Sequence, residues 1–293
     1  MASEISELLK KLRKIEISIQ KKLNNTHQGN YKSVFRGSGI EFDDVRSYQY
    51  GDDVRTINWT VTAKGHGAFV NMFKEDKEQQ VFFVVDVSAS QFIGKSEQKK
   101  IDIAKEVTGV LALSACKTQS NIGLICFSDQ KEKYIKPSKG LPHVYSMIHA
   151  LYTLNPKSRK TNINLGVNIL QNLVKKRSLV VVISDFIDTE YHNSLASLAF
   201  KHDLVVIQIS DLRETNLPRL GILPVFDTEL KKTFWVNTSS KKFRKEIIEN
   251  HRNNTQELLD LSKRNKISHL RLFTGEDYVP KLIEFFKQRA SRR

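Results

Sequence analysis

Between residues 78 and 210, continuous apolar runs alternate with stretches of helical period. The runs are VFFVVDV at 81–87, NIGLICF at 121–127, LVVVIS at 179–184 and LVVIQI at 204–209. Their length suits strands, and their near-continuous apolar character suits strands buried on both faces. Segments 97–118, 141–152, 164–175 and 191–202 read as helices between them. KEKYIKP at 131–137, after a turn at Ser128 and Asp129, reads as an edge strand. Strands alternating with helices predict an α/β fold: a doubly wound, mostly parallel sheet with helices on both faces. Ligands on such sheets sit at the carboxyl ends of the strands, where Asp86 and Asp185 fall.

The flanks follow other patterns. Ile5, Leu8, Leu12, Ile15, Ile19 and Leu23 recur at helical spacing opposite a Lys-rich face, which predicts an amphipathic helix within 1–28. Such a helix packs on its own domain or on a partner; peripheral contact with an anionic membrane is its other use. Glycines punctuate 29–77, with strand-like runs SVFRG and GAFVNMF, so this stretch reads as a small β-rich segment. The domain core is expected over 78–212. A C-terminal extension over 213–293 completes the fold: an ILPVF strand with a KTFWV hairpin partner, a helix at 240–264, a strand at 267–273 and a closing helix at 277–289.

Composition narrows the function classes. The chain has 293 residues, 40% hydrophobic and 27% charged, as in ordinary globular proteins. Its first twenty residues carry charges throughout, and no stretch approaches the roughly 18 apolar residues of a membrane span. Cys116 and Cys126 lie in apolar runs outside any C-x-x-C pair, which suits buried thiols and a reducing compartment. The expectation is a cytoplasmic protein. The net charge of +15 invites a nucleic-acid or anionic-membrane reading. The basic residues are spread along the chain, however, with no RNA-binding aromatic motif or zinc finger, and surface charge explains them better.

One loop carries two chemistries. Ala89 to Ser96 fits a relaxed phosphate-loop pattern, and Gly94, Lys95 and Ser96 would form the tail of a nucleotide hydrolase's loop. Against it, the loop has one glycine, and Asp86 stands at its mouth, where a carboxylate repels polyphosphate. The same stretch reads D-x-S-x-S through Asp86, Ser88 and Ser90. A hard ion such as Mg²⁺ takes about six oxygen ligands at roughly 2.1 Å. Thr161, just before a helix, and Asp185, at the end of the next strand, offer two more oxygens at the same sheet edge. Neutral hydroxyls leave the ion electron-poor, with a position open to an outside carboxylate. The bland alternative has Ser88 and Ser90 capping the helix while the aspartates fix loops.

This order resembles the metal-ion-dependent adhesion site of von Willebrand factor A-type domains, and 78–210 resembles such a domain. The resemblance implies Mg²⁺ or Mn²⁺ held by Ser88, Ser90 and Thr161, with Asp86 and Asp185 direct or through water. Arg159 and Lys160 precede Thr161 where small glycines are usual, which adds positive charge beside the ion or holds the loop in a different position.

Upstream, Glu41, Phe42, Arg46 and Tyr48 are followed by Gly51, Asp52, Asp53, Arg55, Ile57 and Trp59. Arg46 and Arg55 can pair with Asp43, Asp44 or Asp53. Residues 39–90 resemble the signature of a bacterial family labelled domain of unknown function fifty-eight, encoded beside MoxR-type AAA+ ATPases. The resemblance implies a non-enzymatic interaction module. Its partner would be such an ATPase or its client, reaching the metal through Asp or Glu. The alternatives are the nucleotide hydrolase and a basic nucleic-acid or anionic-membrane binder.

Overall fold

A computed structural model of the chain describes residues 7, 9, 10, 12–14, 17 and 39–291, other than 66, 78, 96, 97, 189, 215–218 and 228–231. It divides into two units, Arg36–Gln79 and the remainder.

The smaller unit is an antiparallel pair, β1 (Gly39–Ser47) with β2 (Phe69–Lys77). Its connection holds a 3₁₀ turn at Val54–Thr56 and the one-turn helix α1 (Trp59–Thr62). Local side chains fix that connection, because Asp and Asn compete well for backbone N–H groups in turns. Asp53 accepts from Arg55 N, Asn58 accepts from Val61 N, and Asn58 also donates to Asn71 across 2.8 Å. Arg46 pairs with Asp52 through two bonds of 2.7 and 2.8 Å. The SVFRG run lies outside the described residues.

In chain order the other strands are β3 (Gln80–Asp86), the two-residue pair β4 (Gly94–Lys95) and β5 (Gln98–Lys99), β6 (Asn121–Phe127), β7 (Lys131–Ser138), β8 (Leu179–Ser184), β9 (Asp203–Ser210), β10 (Ile222–Asp227), β11 (Lys232–Asn237) and β12 (Ser268–Phe273). The helices are α2 (Lys100–Lys117), α3 (Leu141–Tyr152), α4 (Ile163–Leu173), α5 (His192–Lys201), α6 (Lys241–Arg264) and α7 (Tyr278–Ser291). The central sheet has the order β12-β9-β8-β3-β6-β7, all parallel except the edge strand β7. Numbered by position in the chain, its strands run 3-2-1-4-5-6 across the sheet, the doubly wound order whose winding reverses between β3 and β8.

Strand alternation builds two cores. Val81, Phe83 and Val85 enter one with α2, α3 and α7; Phe82 and Val84 enter the other with α4 and α5. Leu12 is fully buried in the first core, so its helical stretch packs on this domain. It lies so close to α2 that a Cβ on Gly109 would sit 2.8 Å from it.

The doubly wound expectation holds, with most element ends within a residue or two. The start of α2 differs. It begins at Lys100, after β4 and β5 pair as a small hairpin, and Asp102 accepts the Lys99 N–H across 2.9 Å. Among the described residues no helix is long and apolar enough to cross a membrane.

Candidate functional site

β3 and β8 are neighbours in the sheet, and their carboxyl ends flank the point where the winding reverses. Loops leaving such strands in opposite directions open a crevice there. Asp86 and Ser184 end these strands, and Asp185 follows.

The first loop turns on Asp86. Its carboxylate is fully buried and accepts Ser88 N at 2.9 Å, Ser184 Oγ at 2.6 Å and Gln91 Nε2 at 3.3 Å. Burial, then the nearby Asp185 charge, pushes its pKa up to about 6 despite those donors. The turn closes the serines together, with Ser88 Oγ and Ser90 Oγ 3.1 Å apart.

The second loop, 153–162, is anchored beside the first. Glu132 on β7 accepts the N–H groups of Lys157 and Ser158 at 2.9 and 3.0 Å, and Ser128 Oγ at 2.7 Å. Burial opposes the Glu132 charge, but these donors prevail and lower its pKa. Ala89 N donates to the Arg159 carbonyl at 2.9 Å, and Asn162 N to the Ser128 carbonyl at 3.2 Å. Thr161 is thus carried next to the serine loop. A cleft of about 350 Å³ lies between the two loops, lined by Val87, Ala89, Phe92, Asn155, Pro156 and Arg159 among others.

The third loop holds Asp185. Phe186 takes a left-handed conformation, φ 57°, costly for a bulky residue. Ser184 Oγ accepts its N–H at 3.1 Å, and its ring meets Tyr191 edge-on at 5.6 Å. Asp188 accepts Ile163 N at 2.9 Å, tying this loop to α4. Asp185 itself is buried and bound to a cation: Lys100 Nζ lies 2.7 Å from its Oδ2 and also bonds Glu214. Burial opposes the Lys100 charge, but Asp185 and Glu214 outweigh it and raise its pKa.

The structure therefore brings Asp86, Ser88, Ser90 and Asp185 to one crevice and holds the loop of Thr161 alongside. Sequence reasoning passed over Ser184, Lys100, Glu214, Glu132 and the fully buried Gln91. The phosphate-loop alternative loses its basis. In that motif the Lys and Ser open the helix, whereas here Lys95 lies in β4 and α2 starts five residues later. Gly94 faces backbone instead, since a Cβ there would sit 2.7 Å from Gln98 O. Ser96 lies outside the described residues.

The family model described as "Protein of unknown function DUF58" matches residues 44–257. This chain belongs to the DUF58 family. An uncharacterized protein of Mycobacterium tuberculosis is 26% identical over 221 residues, 74% of this chain and 70% of that one. One from Mycobacterium bovis matches equally. Among solved structures, an aerotolerance-related membrane protein from Bacteroides fragilis superposes with a TM-score of 0.48 and 15% identity, over 73% of this chain and 100% of that one. The SpRpn10 VWA domain superposes with a TM-score of 0.39 and 10% identity, over 72% and 94%.

The DUF58 crevice fits a hard cation on three counts. Adjacent ligands around an octahedral ion with bonds near 2.1 Å stand about 3 Å apart, which matches the serine pair. The side-chain donors offered by Asp86, Ser88 and Ser90 on the first loop are all oxygen, the ligand type a hard cation takes. Gln91 Oε1 is buried without a hydrogen-bond partner, an acceptor left over beside Asp86.

Proposed function

We propose that this DUF58 protein is a non-enzymatic interaction module that binds an acidic side chain of a protein partner through Mg²⁺ or Mn²⁺. The observation that carries the reading is the Ser88–Ser90 hydroxyl pair, set beside a buried Asp86 at the crevice between β3 and β8. Ser88, Ser90 and Asp86 would hold the ion, with Thr161 and Asp185 completing the set. When bound, the ion supplies an electrophilic position that a partner's Asp or Glu can fill. Ser184 and Gln91 orient Asp86, and Glu132 holds the second loop in reach. The cleft lined by Phe92 and Pro156 would take the apolar residues next to that carboxylate.

The partner we propose is a MoxR-type AAA+ ATPase or its client. This part rests on the family resemblance, and a contact through one ion is reversible enough for an ATPase to load and release.

The test has two parts. Mn²⁺ titration by calorimetry should show saturable binding to the wild type that Ser88→Ala/Ser90→Ala weakens at least about tenfold, while the variant keeps the wild-type far-ultraviolet circular dichroism. Co-purification with a purified MoxR-type ATPase should be lost with chelator and restored by Mg²⁺. Binding of DNA or anionic vesicles that falls steeply with salt and ignores chelator would favour the basic-surface reading instead. Absence of saturable Mn²⁺ binding would overturn the metal bridge.

A further inference from the structure

Lys100, the first residue of α2, ends in the candidate site with no exposed surface. Its ammonium bonds Asp185 Oδ2 at 2.7 Å and also Glu214, which comes from the 3₁₀ turn Leu212–Glu214 beyond β9. Glu214 is placed for this, because its other oxygen accepts Asp211 N at 3.0 Å. A buried ammonium shared by two carboxylates is costly to assemble and holds both in position. It also commits Asp185, whose charge a divalent ion at Asp86, Ser88 and Ser90 would draw upon.

Resting on the metal-bridge reading, we propose that Lys100 is the site's resident counter-cation: it competes with a divalent ion for Asp185 and sets how tightly that ion is held. Like charges a few ångströms apart repel strongly where water is scarce. Glu214 works the other way, drawing Lys100 off Asp185 and returning negative charge to the crevice. Weak retention of the ion leaves its electrophilic position in need of an outside carboxylate, so the contact stays reversible.

Two variants separate this role from simple support. Glu214→Gln leaves Lys100 wholly on Asp185. Lys100→Met/Glu214→Gln frees Asp185 while removing one charge of each sign, so its formal charge equals that of the wild type. Mn²⁺ titration of the full chain should find Glu214→Gln about three- to tenfold weaker than wild type. The double variant should bind at least about tenfold tighter than Glu214→Gln, and tighter than wild type. Melting temperatures should fall in both, so a merely supporting role would weaken Mn²⁺ binding in both. A double variant no tighter than Glu214→Gln overturns the proposal; the metal reading then survives if Ser88→Ala/Ser90→Ala still weakens Mn²⁺ binding. If the double variant does not fold, Glu214→Gln decides: weaker binding supports the competition, and unchanged or tighter binding refutes it. If no form of the protein binds Mn²⁺, both readings fail together.

Discussion

The Ser184 hydroxyl donates to Asp86 Oδ2 across 2.6 Å, joining the ends of β8 and β3. The same oxygen accepts the Phe186 N–H, so it also braces the left-handed turn that presents Asp185. Ser184→Ala removes both bonds and leaves buried groups unsatisfied, at a cost of about 1–3 kcal/mol. The bond also favours the charged form of Asp86, so its loss raises that pKa further. The expected result is a lower urea midpoint with weaker Mn²⁺ binding. A variant as stable as the wild type, with unchanged Mn²⁺ affinity, would remove Ser184 from the site.

Glu132 is the second unforeseen support. One carboxylate receives two successive backbone N–H groups of the loop that carries Arg159 and Thr161. Hydrogen bonds to a charged group contribute about 1.5–3 kcal/mol each, more than a neutral amide oxygen can return. Glu132→Gln should therefore speed amide exchange at Lys157 and Ser158 and weaken Mn²⁺ binding, with little change in exchange within α3. Equal exchange in both proteins would mean that other contacts hold this loop.

How much of this was legible in the sequence follows from the range of the interactions. The strands at 81–87, 121–127, 179–184 and 204–209 stood out because burial on both faces demands continuous apolar runs, whatever their neighbours. Asp86, Ser88 and Ser90 stood out because the turn Asp86 closes is local, spanning two residues. Lys100, by contrast, read as one more of the lysines spread along the chain, inside the first turn of the helix expected at 97–118. Its partners lie 85 and 114 residues away, and only the sheet order brings them to it. Glu132 likewise sat in an alternating edge strand, where every second residue faces water. The β4–β5 hairpin was missed because its residues also suit a helix start.

Gly166 shows the packing side of the same limit. It sits in α4 against the ring of Phe127, and a Cβ there would lie 2.6 to 2.8 Å from three ring carbons. Alanine gains about 1 kcal/mol of helix propensity over glycine. Overpacking a close contact costs about 1–3 kcal/mol, and here it should prevail because Phe127 is itself fully buried. Phe127 O also accepts Val87 N at 2.9 Å, next to the serine loop. Gly166→Ala should lower the melting temperature by about 2–4 °C for each kcal/mol lost. An increase would mean that α4 shifts freely and propensity decides.

His269 gives the domain a measurable response to acid. It lies half-buried on β12, two residues from Arg271, with Nε2 buried and unpartnered. Burial, then the Arg271 charge, lowers its pKa to about 4 in the fold. The unfolded chain holds it near 6.5 and so binds the proton first as pH falls. Stability from this group is therefore full above about pH 6.5 and is lost as pH falls toward 4, by roughly 1–2 kcal/mol between pH 7 and 5. Asp86 acts in the opposite sense, because its raised pKa lets the folded state take up a proton before the unfolded one does. The wild type alone would mix the two. Comparing it with His269→Gln cancels every other group, so the variant should lose less stability than the wild type between pH 7 and 5, or gain some. Parallel urea midpoints for the two proteins over that range would show that His269 protonates as readily in the fold as outside it.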